Sequence, residues 1–476
     1  MGPEREDMGN ETSYDVAILG SGPGGYVAAI RAGQLGLKTL VVEKDRHFGG
    51  TCLHVGCIPS KVFLYTAELL DRVRRGGDQG VVVDGLRLDW PALLKRKDRI
   101  IKKNAGGIAF LFRKNNVETL HGFGRIVAPG KLEVETEEGT SRVVARNIII
   151  ATGSEPRAIP SVPIDGQSIV TNTEMLALAS QPESLGVIGA GAVGVEFASM
   201  FHSFGTKVVL IEVLPKLVPV EDQEISDELF KLFTKRGIET LTETRVEGVT
   251  PASDGSSVAV HFTRPDGMKD SRSVTKLLVA VGRKPRTRNI GLEDVGVALD
   301  RGTVPVDGFM QTNVPGIYAI GDVVATQQLA HVASAEGVLA VEHLAGRPVR
   351  PLNYLHMPGA TYCSPEVASV GLTEAAAKEK GYEVKVGKFP FAASPKATIL
   401  GDSDGFVKVV SESNYGELLG VHIIGPHATD LIAEAVVALE HEATAESLMH
   451  AVHAHPTLSE AVAEAAHGAF ELPLHV

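Results

Sequence analysis

One pattern occurs twice in this chain, and it limits the possible folds more than any other feature. In each copy a short apolar strand leads into a G-x-G-x-x-G turn, a helical pattern follows, and a second strand ends in a glutamate. The glycines and the acid are Gly20, Gly22, Gly25 and Glu43 in the first copy, and Gly189, Gly191, Gly194 and Glu212 in the second. In both copies the glutamate follows the first glycine by 23 residues.

This strand–turn–helix–strand pattern is typical of a doubly wound α/β domain that binds a dinucleotide. Its glycines allow a tight turn and a close approach of the backbone to a pyrophosphate, which then lies at the N-terminus of the helix. The glutamate at the end of the second strand accepts hydrogen bonds from ribose hydroxyls. Two such sites in one chain predict two bound dinucleotides and electron transfer between them.

The acid of the second copy also indicates which nicotinamide dinucleotide binds. A carboxylate such as Glu212 accepts a hydrogen bond from the free 2′-hydroxyl of NAD and repels the 2′-phosphate of NADP. The next residues, Val213-Leu214-Pro215, provide no arginine that would reverse this preference. The sequence therefore favours NAD.

The two copies close with related strand ends, ATGSEPR around Gly153 and AVGRKPR around Gly282. The first copy is longer by an insertion of 40 residues, which contains a close pair of cysteines. These features predict one nucleotide-binding domain over residues 1–153 and a second over 154–282.

Two further regions follow the nucleotide-binding copies. Residues 283–352 contain GIYAIGD, in which Asp322 ends a strand and is suited to hold a polyol chain. Over 353–476 the pattern changes to antiparallel strands, GFVKVV and LLGVHIIG, followed by two helical runs. This change predicts a separate α+β domain at the C-terminus.

Composition excludes several classes of protein. The chain has 476 residues and a formal net charge of −12, which argues against nucleic acid as the main partner. A basic run over 95–114 has apolar residues at helical spacing, which predicts a solvated helix face. No apolar run is long enough to span a membrane. The first 13 residues resemble neither a signal peptide nor a transit peptide, which predicts a cytoplasmic protein.

Cys52 and Cys57 are the residues of the insertion that are best suited to redox chemistry. Residues five apart in a regular helix are separated by about 7.5 Å of rise, and a disulfide needs Cα atoms within about 7 Å. A disulfide here therefore requires a distorted segment, which Gly56 and Pro59 allow. A metal site or two unrelated buried thiols remain as alternatives at this point. Cys363 has no neighbouring cysteine in the sequence and is predicted to be an inert buried thiol.

Taken together, the motifs resemble those of the FAD-dependent pyridine nucleotide–disulfide oxidoreductases, in particular the members that oxidise dihydrolipoamide. The resemblance rests on GGTCLHVGCIPSK, both glycine turns, ATGSEP, VGRKP, YAIGD and HAHPTLSE, in the family's order over nearly the whole chain. It implies Rossmann-like FAD and NAD domains in an α/β fold, with a C-terminal α+β dimerisation domain. Two features differ: His54 replaces the usual asparagine between the cysteines, and the C-terminal FELPLHV has no assigned role.

The resemblance assigns roles to residues near the flavin. It implies a redox disulfide in which Cys52 is attacked by the substrate thiolate and Cys57 faces the flavin. Lys61, paired with Glu196, is then expected beside the flavin ring. Further cofactor contacts are expected at Gly124, Gly153, Asp322 and Ala330 for FAD, and at Val246 and Gly282 for NAD.

A substrate thiol needs a base near neutral pH, and the resemblance assigns this role to His455, oriented by Glu460. Thr457-Leu458-Ser459-Glu460 also fits a capping box, in which Glu460 would only fix the start of a helix. In the family this histidine acts in the site of the partner subunit. The resemblance therefore implies an isologous homodimer whose monomers are inactive.

The activity implied by the resemblance is oxidation of protein-bound dihydrolipoamide to lipoamide, with reduction of NAD⁺ to NADH. The expected partner is the lipoyl domain of a 2-oxoacid dehydrogenase or glycine cleavage complex. A relative that reduces glutathione would carry basic residues at the position that Glu212 occupies here. A mercuric reductase would carry a second cysteine pair after Cys363. A catalytically silent structural subunit would be expected to lack Cys52, Cys57 or His455, and all three are present.

Overall fold

The computed structural model describes residues 13–476. Nearly all of the N-terminal segment that supports the prediction of a cytoplasmic protein lies outside the described residues. The chain folds as two compact units, each assembled from three separate stretches. Of the described residues, unit 1 comprises 13–60, 95–156 and 283–354, and unit 2 comprises 61–94, 157–282 and 355–476.

Over residues 13–476 the strands, numbered in chain order, are β1 Ser13–Leu19, β2 Thr39–Glu43, β3 Glu118–His121, β4 Phe123–Ala128, β5 Lys131–Thr136, β6 Gly139–Ile150, β7 Ser154–Pro156, β8 Ile169–Val170, β9 Ser184–Ile188, β10 Lys207–Ile211, β11 Glu239–Leu241, β12 Arg245–Pro251, β13 Val258–Thr263, β14 Lys269–Val274, β15 Lys276–Val279, β16 Arg283–Pro285, β17 Ile317–Ala319, β18 Gly359–Thr361, β19 Glu366–Gly371, β20 Val384–Pro390, β21 Phe406–Glu412 and β22 Leu418–Gly425. The α-helices of the same stretch are α1 Pro23–Gln34, α2 Gly50–Val55, α3 Cys57–Arg74, α4 Trp90–Lys114, α5 Asn172–Met175, α6 Ala192–Phe204, α7 Gln223–Arg236, α8 Ala330–Leu344, α9 Glu374–Glu379, α10 Pro395–Leu400, α11 Ala428–Glu440, α12 Ala445–His450 and α13 Glu460–Phe470. Short 3₁₀ turns cover Gly76–Gln79, Gly321–Val323, Tyr354–His356 and Phe391–Ala393.

Unit 1 is built on a sheet of order β3-β2-β1-β6-β5-β4, with β17 also paired to β6. β3, β2, β1, β6 and β17 run parallel, while β4 and β5 form an antiparallel extension. Ile148 and Ile150 belong to one apolar cluster, and Ile149 between them belongs to another. Successive side chains of a strand point to opposite faces. The sheet is therefore buried on both faces, as parallel sheets are in doubly wound folds.

Unit 2 contains a second parallel sheet, of order β11-β10-β9-β15-β8. An antiparallel sheet, β12-β13-β14, packs Val258 and Phe262 into the same apolar cluster as Ile188 and Ile211 of the parallel sheet. A third sheet of unit 2, β18-β19-β22-β21-β20, is antiparallel throughout, and α11 and α13 pack against it. The mixed α/β class predicted from the sequence is confirmed.

The two strand ends that close the nucleotide-binding copies pair with each other. β7 and β16 form a two-stranded antiparallel ladder in which Ser154 faces Pro285 and Glu155 faces Lys284. Lys284 Nζ lies 2.9 Å from Glu155 Oε1 across this ladder. The sequence predicted the two ends separately, and their pairing is a finding of the structure.

Most of the predicted elements are confirmed within a residue or two. The strands on either side of both glycine turns are present, and α4 covers the basic run over 95–114. The prediction of two helical runs after β22 is wrong, because three helices follow it in the structure. Thr444 starts the additional helix, α12, since its hydroxyl accepts a hydrogen bond from the N–H of Ser447 at 3.2 Å. No helix in the described part of the chain is long and apolar enough to cross a membrane.

Candidate functional site

The first glycine turn joins β1 to α1, and each of its glycines has a separate role. Gly20 has a φ of 101°, and a side chain there would collide with Ala151 O. A side chain at Gly25 would collide with Gly20 O, so this glycine allows α1 to pack closely against the turn. A Cβ at Gly22 would have nothing within 4 Å. The turn is therefore open at Gly22, where a pyrophosphate can approach the N-terminus of α1.

The second glycine turn, between β9 and α6, repeats this arrangement. Gly189 has a φ of 99° and adjoins Ala280 O, and a side chain at Gly194 would collide with Gly189 O. The position of a Cβ at Gly191 is again open. In both turns the first glycine of the motif closes the turn and the second leaves space for the ligand. Both turns consequently fit a dinucleotide.

The acids at the ends of β2 and β10 are buried, and each one braces its own glycine turn. Glu43 Oε2 accepts hydrogen bonds from the Ser21 N–H at 2.8 Å and the Ser21 hydroxyl at 2.6 Å. Glu212 Oε2 accepts one from the Ala190 N–H at 2.6 Å. The other oxygen of each acid accepts from the N–H two residues further on, at 2.9 and 2.8 Å. A carboxylate has about four acceptor sites, so both acids retain capacity for a ribose hydroxyl.

The cysteine pair spans a break between two helices. Cys52 lies in α2 and Cys57 is the first residue of α3, and both are half-buried. Gly56 interrupts the helix with φ −136° and ψ −114°. A Cβ on Gly56 would lie 3.0 Å from Thr51 O and 3.3 Å from the Cα of Cys52, so the chain folds back onto Cys52 at this point. The helix is therefore broken between the two cysteines, which a disulfide between them would require.

Lys61 and Glu196 form an ion pair in unit 2, as the resemblance implied. Lys61 Nζ lies 2.9 Å from Glu196 Oε1 and 3.0 Å from Oε2, and only 7% of the Glu196 side chain is exposed. A third member, Tyr362, was not predicted from the sequence, and its N–H donates to Glu196 Oε1 at 3.0 Å. Its ring lies 4.5 Å from Lys61 Nζ. Lys61 is also one helical turn after Cys57 in α3, so a fixed positive charge follows the cysteine closely in the chain.

Asp322 belongs to a polar cluster in unit 1 that the sequence did not predict. The Ser154 hydroxyl donates to Asp322 Oδ2, and Arg283 Nε donates to Ser154 Oγ at 2.6 Å. Burial lowers the pKa of Arg283, whereas Asp322 and Cys57 act in the opposite direction. Arg283 is therefore a cation within electrostatic reach of Cys57. Ser154 and Arg283 stand in the two closing motifs, so the sequence did carry a signal for them.

The turn that carries Asp322 is fixed by α8, which begins at the predicted residue Ala330. Glu336 of α8 is fully buried and accepts from the Gly321 N–H at 2.6 Å. It also accepts from the hydroxyls of Thr326 and Tyr354, at 2.8 and 2.9 Å. These bonds hold the turn to the helix.

His455 and Glu460 lie together, and only one of the two hydrogen bonds of the capping box forms. His455 Nδ1 is 2.9 Å from Glu460 Oε1, while Glu460 Oε2 accepts the Thr457 N–H at 2.7 Å. The Thr457 hydroxyl donates instead to Ala454 O, and α13 begins only at Glu460. Burial would raise the pKa of Glu460, but the hydrogen bonds from Thr457 and His455 lower it. Glu460 is therefore an ionised carboxylate, suited to orient the imidazole of His455.

For four other residues that were predicted to contact a cofactor, the roles stay predictions. Gly124 lies in β4, where a Cβ would come 2.7 Å from Leu19 Cδ2, and Val246 lies in β12. Gly153 and Gly282 have φ values of 71° and 97°, with nothing within 4 Å of a Cβ.

Cys363 and His54 are neighbours of these clusters in the chain, since Cys363 follows Tyr362 and His54 lies between the two cysteines. Cys363 is 1% exposed, and burial raises the pKa of its thiol, which agrees with an inert role. His54 Nε2 lies 2.9 Å from Phe48 O, and its ring stacks on that of His47 at 6.0 Å. Within residues 13–476 no group of three or more histidine, cysteine or acidic side chains is placed to hold a metal ion.

Comparison with known proteins points to the family that the motifs resemble. The sequence profile of the pyridine nucleotide-disulphide oxidoreductases matches residues 14–337, and that of their dimerisation domain matches residues 357–466. A dihydrolipoyl dehydrogenase of Bacillus subtilis is 45% identical over 98% of this chain and 99% of its own length. One from Rhizobium etli is 44% identical, over 95% and 97%. The crystal structure of LpdA from Mycobacterium tuberculosis superposes with a TM-score of 0.88 at 28% identity, and covers 96% of this chain and 99% of its own.

Proposed function

This chain belongs to the pyridine nucleotide-disulphide oxidoreductase family, and we propose that it is a dihydrolipoyl dehydrogenase that uses FAD and NAD. The observation that carries this proposal is the combination of two open dinucleotide turns with the cysteine pair, the Lys61–Glu196 pair and the His455–Glu460 pair. Bound FAD and NAD supply the two-electron chemistry, and they are assigned to the turns at Gly22 and Gly191 respectively.

The residues of the chain perform the thiol chemistry. His455 takes the proton from one thiol of dihydrolipoamide. The resulting thiolate attacks Cys52 Sγ, which forms a mixed disulfide and releases Cys57 as a thiolate. The second thiol of the substrate then attacks the mixed disulfide, so that lipoamide leaves and Cys52 becomes a thiolate that accepts a proton. Two electrons are now stored on the cysteine pair, ready for transfer to NAD⁺.

Fixed charges assist this sequence. Lys61, held by Glu196, provides a positive charge that favours a reduced, anionic flavin. Arg283 is a second cation that interacts electrostatically with Cys57, and such an interaction stabilises a thiolate. Glu460 accepts a hydrogen bond from His455 Nδ1, which leaves Nε2 free to receive the substrate proton.

The chain carries a dimerisation domain, and we propose that His455 acts in the site of the partner subunit of a homodimer, so that monomers are inactive. The proposed partner is a lipoyl domain of a 2-oxoacid dehydrogenase or glycine cleavage complex. We also propose domain boundaries at residues 153, 282 and 352 and a cytoplasmic location for the protein.

An anaerobic titration of the purified protein with dihydrolipoamide tests the proposal directly. We expect a long-wavelength thiolate-to-flavin absorbance band to grow, and then to disappear when NAD, but not NADP, is added, with NADH appearing. A flavin spectrum that does not respond to dihydrolipoamide would refute the proposed substrate. Other disulfides, offered with each nicotinamide dinucleotide, would then be screened.

The duplicated architecture gives a matched pair of variants for cofactor choice. We expect Glu212→Gln to raise the KM for NAD by about 10-fold to 100-fold, since a hydrogen bond to a charged acceptor contributes about 1.5–3 kcal/mol. Glu43→Gln makes the same chemical change in the other copy and should leave the KM for NAD unchanged. Steady-state kinetics of the FAD-loaded proteins measure both values, and equal effects of the two variants would contradict the assignment.

A further inference from the structure

The residue proposed as the base lies in an exposed loop, and something must hold that loop in place. Residues 451–459 join α12 to α13, and 69% of the His455 side chain is exposed. The contact of His455 with Glu460 fixes the C-terminal half of the loop. The N-terminal half, over 451–454, needs an anchor of its own.

His453 provides this anchor. Only 11% of its side chain is exposed. Its Nε2 lies 2.6 Å from Glu434 Oε1 on α11, and its Nδ1 lies 2.8 Å from Ala451 O. The His453 ring therefore ties the backbone of the loop to a helix of the dimerisation domain, two residues before His455.

The two contacts also determine the protonation state of the ring. A neutral imidazole carries one N–H and one acceptor nitrogen, whereas an imidazolium carries two donors. A carboxylate at Glu434 and the carbonyl of Ala451 are both acceptors and have no hydrogen to give. Both hydrogen bonds form together only when both ring nitrogens carry a hydrogen.

We propose that His453 is an imidazolium held by Glu434, and that this ion pair is a positioning element for His455 in dihydrolipoamide oxidation. The kinetic part of the inference rests on the proposed function. Neither His453 nor Glu434 contacts the reacting thiols in this scheme, and both act through the loop.

The charge of His453 also affects the pair formed by His455 and Glu460. The charge of His453 also lowers the pKa of Glu460, by less than the hydrogen bonds from Thr457 and His455 do. The positive ring thus helps to keep Glu460 ionised, and an ionised Glu460 accepts the Nδ1–H of His455. The charged or titratable groups next to this loop include Glu434 from α11, Glu446 and His450 from α12, Glu460 from α13, and the two histidines of the loop.

The protonation state can be measured without any assay of activity. In FAD-loaded protein labelled with ¹⁵N-histidine, we expect both ring nitrogens of His453 to give imidazolium shifts at pH 8, with the signals assigned by their loss in His453→Gln. In Glu434→Gln one nitrogen should move to the shift of an unprotonated nitrogen. A neutral ring in the unaltered protein would overturn the proposal.

The positioning role is tested by comparing two reactions of the same proteins. Glu434→Gln should lower kcat for dihydrolipoamide oxidation by about 10-fold to 100-fold, because displacement of a reacting group by about 1 Å costs that much. His453→Gln should have a similar effect, and the double variant should be no worse than either single one. Reduction of two ferricyanide ions by each NADH requires no thiol proton transfer, so its rate should stay within two-fold.

Glu440→Gln is the matched control, because Glu440 lies on the same helix and pairs with His356 Nδ1 at 3.0 Å, away from the loop. It should leave both rates unchanged. A loss of less than two-fold in Glu434→Gln, or a parallel loss of the ferricyanide reaction, would overturn the positioning role. If the unaltered protein does not oxidise dihydrolipoamide, the proposed function fails, whereas the ¹⁵N shifts still decide the state of His453.

Discussion

Cys52→Ser should lower the rate of dihydrolipoamide oxidation by at least about 10⁴-fold, since loss of the residue that forms the covalent intermediate has effects of this size. A serine oxygen can neither be attacked by the substrate thiolate nor form a disulfide with Cys57. The variant should retain bound FAD, because the glycine turn, Glu43 and the Asp322 cluster are unaltered. Stopped-flow absorbance of the flavin during mixing with dihydrolipoamide measures the loss.

Cys363→Ser is the control for this prediction. Cys363 is also a thiol, but it is buried, and its Sγ donates a hydrogen bond to Pro365 O at 3.1 Å that a serine hydroxyl can replace. The Cys363→Ser variant should oxidise dihydrolipoamide at a rate close to that of the unaltered protein. Loss of flavin from Cys52→Ser would show that Cys52 is a structural residue and contradict its role as the attacked sulfur.

Local pattern was sufficient for the parts of the site in which neighbouring residues impose the geometry. Gly20, Gly25 and their counterparts are required by contacts within the turn or with the adjacent strand, so their spacing reveals the fold. The break at Gly56 follows in the same way, because a disulfide over five residues requires it. These features depend on backbone geometry, which sequence spacing expresses directly.

The clusters that the sequence analysis missed depend on contacts between distant parts of the chain. Ser154 and Arg283 meet because β7 pairs with β16, and Tyr362 reaches Glu196 from β18 and its following turn. The choice between a capping box and an oriented base at Glu460 also depended on where α13 begins. A helix boundary cannot be read to the residue from pattern alone.

The largest effect on stability is expected at Lys408, a residue to which no sequence pattern assigns a special role. Its side chain is 1% exposed, and its Nζ lies 2.9 Å from Asp222, 2.8 Å from Glu224 and 2.8 Å from Glu374. Lys408→Met keeps most of the volume but leaves these carboxylates without the cation. We expect unfolding of the FAD-loaded protein in urea at pH 7 to show a loss of about 3–5 kcal/mol, as for other broken buried ion pairs.

The pH dependence of this loss has a definite sign. Burial would raise the pKa of Asp222, but the hydrogen bond from Lys408 lowers it, and Lys378 and Lys408 lower that of Glu374. The stabilisation that the ionised Asp222 and Glu374 contribute is present above the pKa of about 4 that such groups have in the unfolded chain. It is lost as the pH falls through the lowered pKa values of the folded protein.

In Lys408→Met the buried carboxylate of Asp222 can protonate at higher pH, so the difference in stability from the unaltered protein should shrink between pH 7 and pH 4.5. Lys378→Met removes the same charge from an exposed pair with Glu374 and should cost no more than about 1 kcal/mol. A difference that stays constant with pH would assign the loss at Lys408 to packing and not to charge.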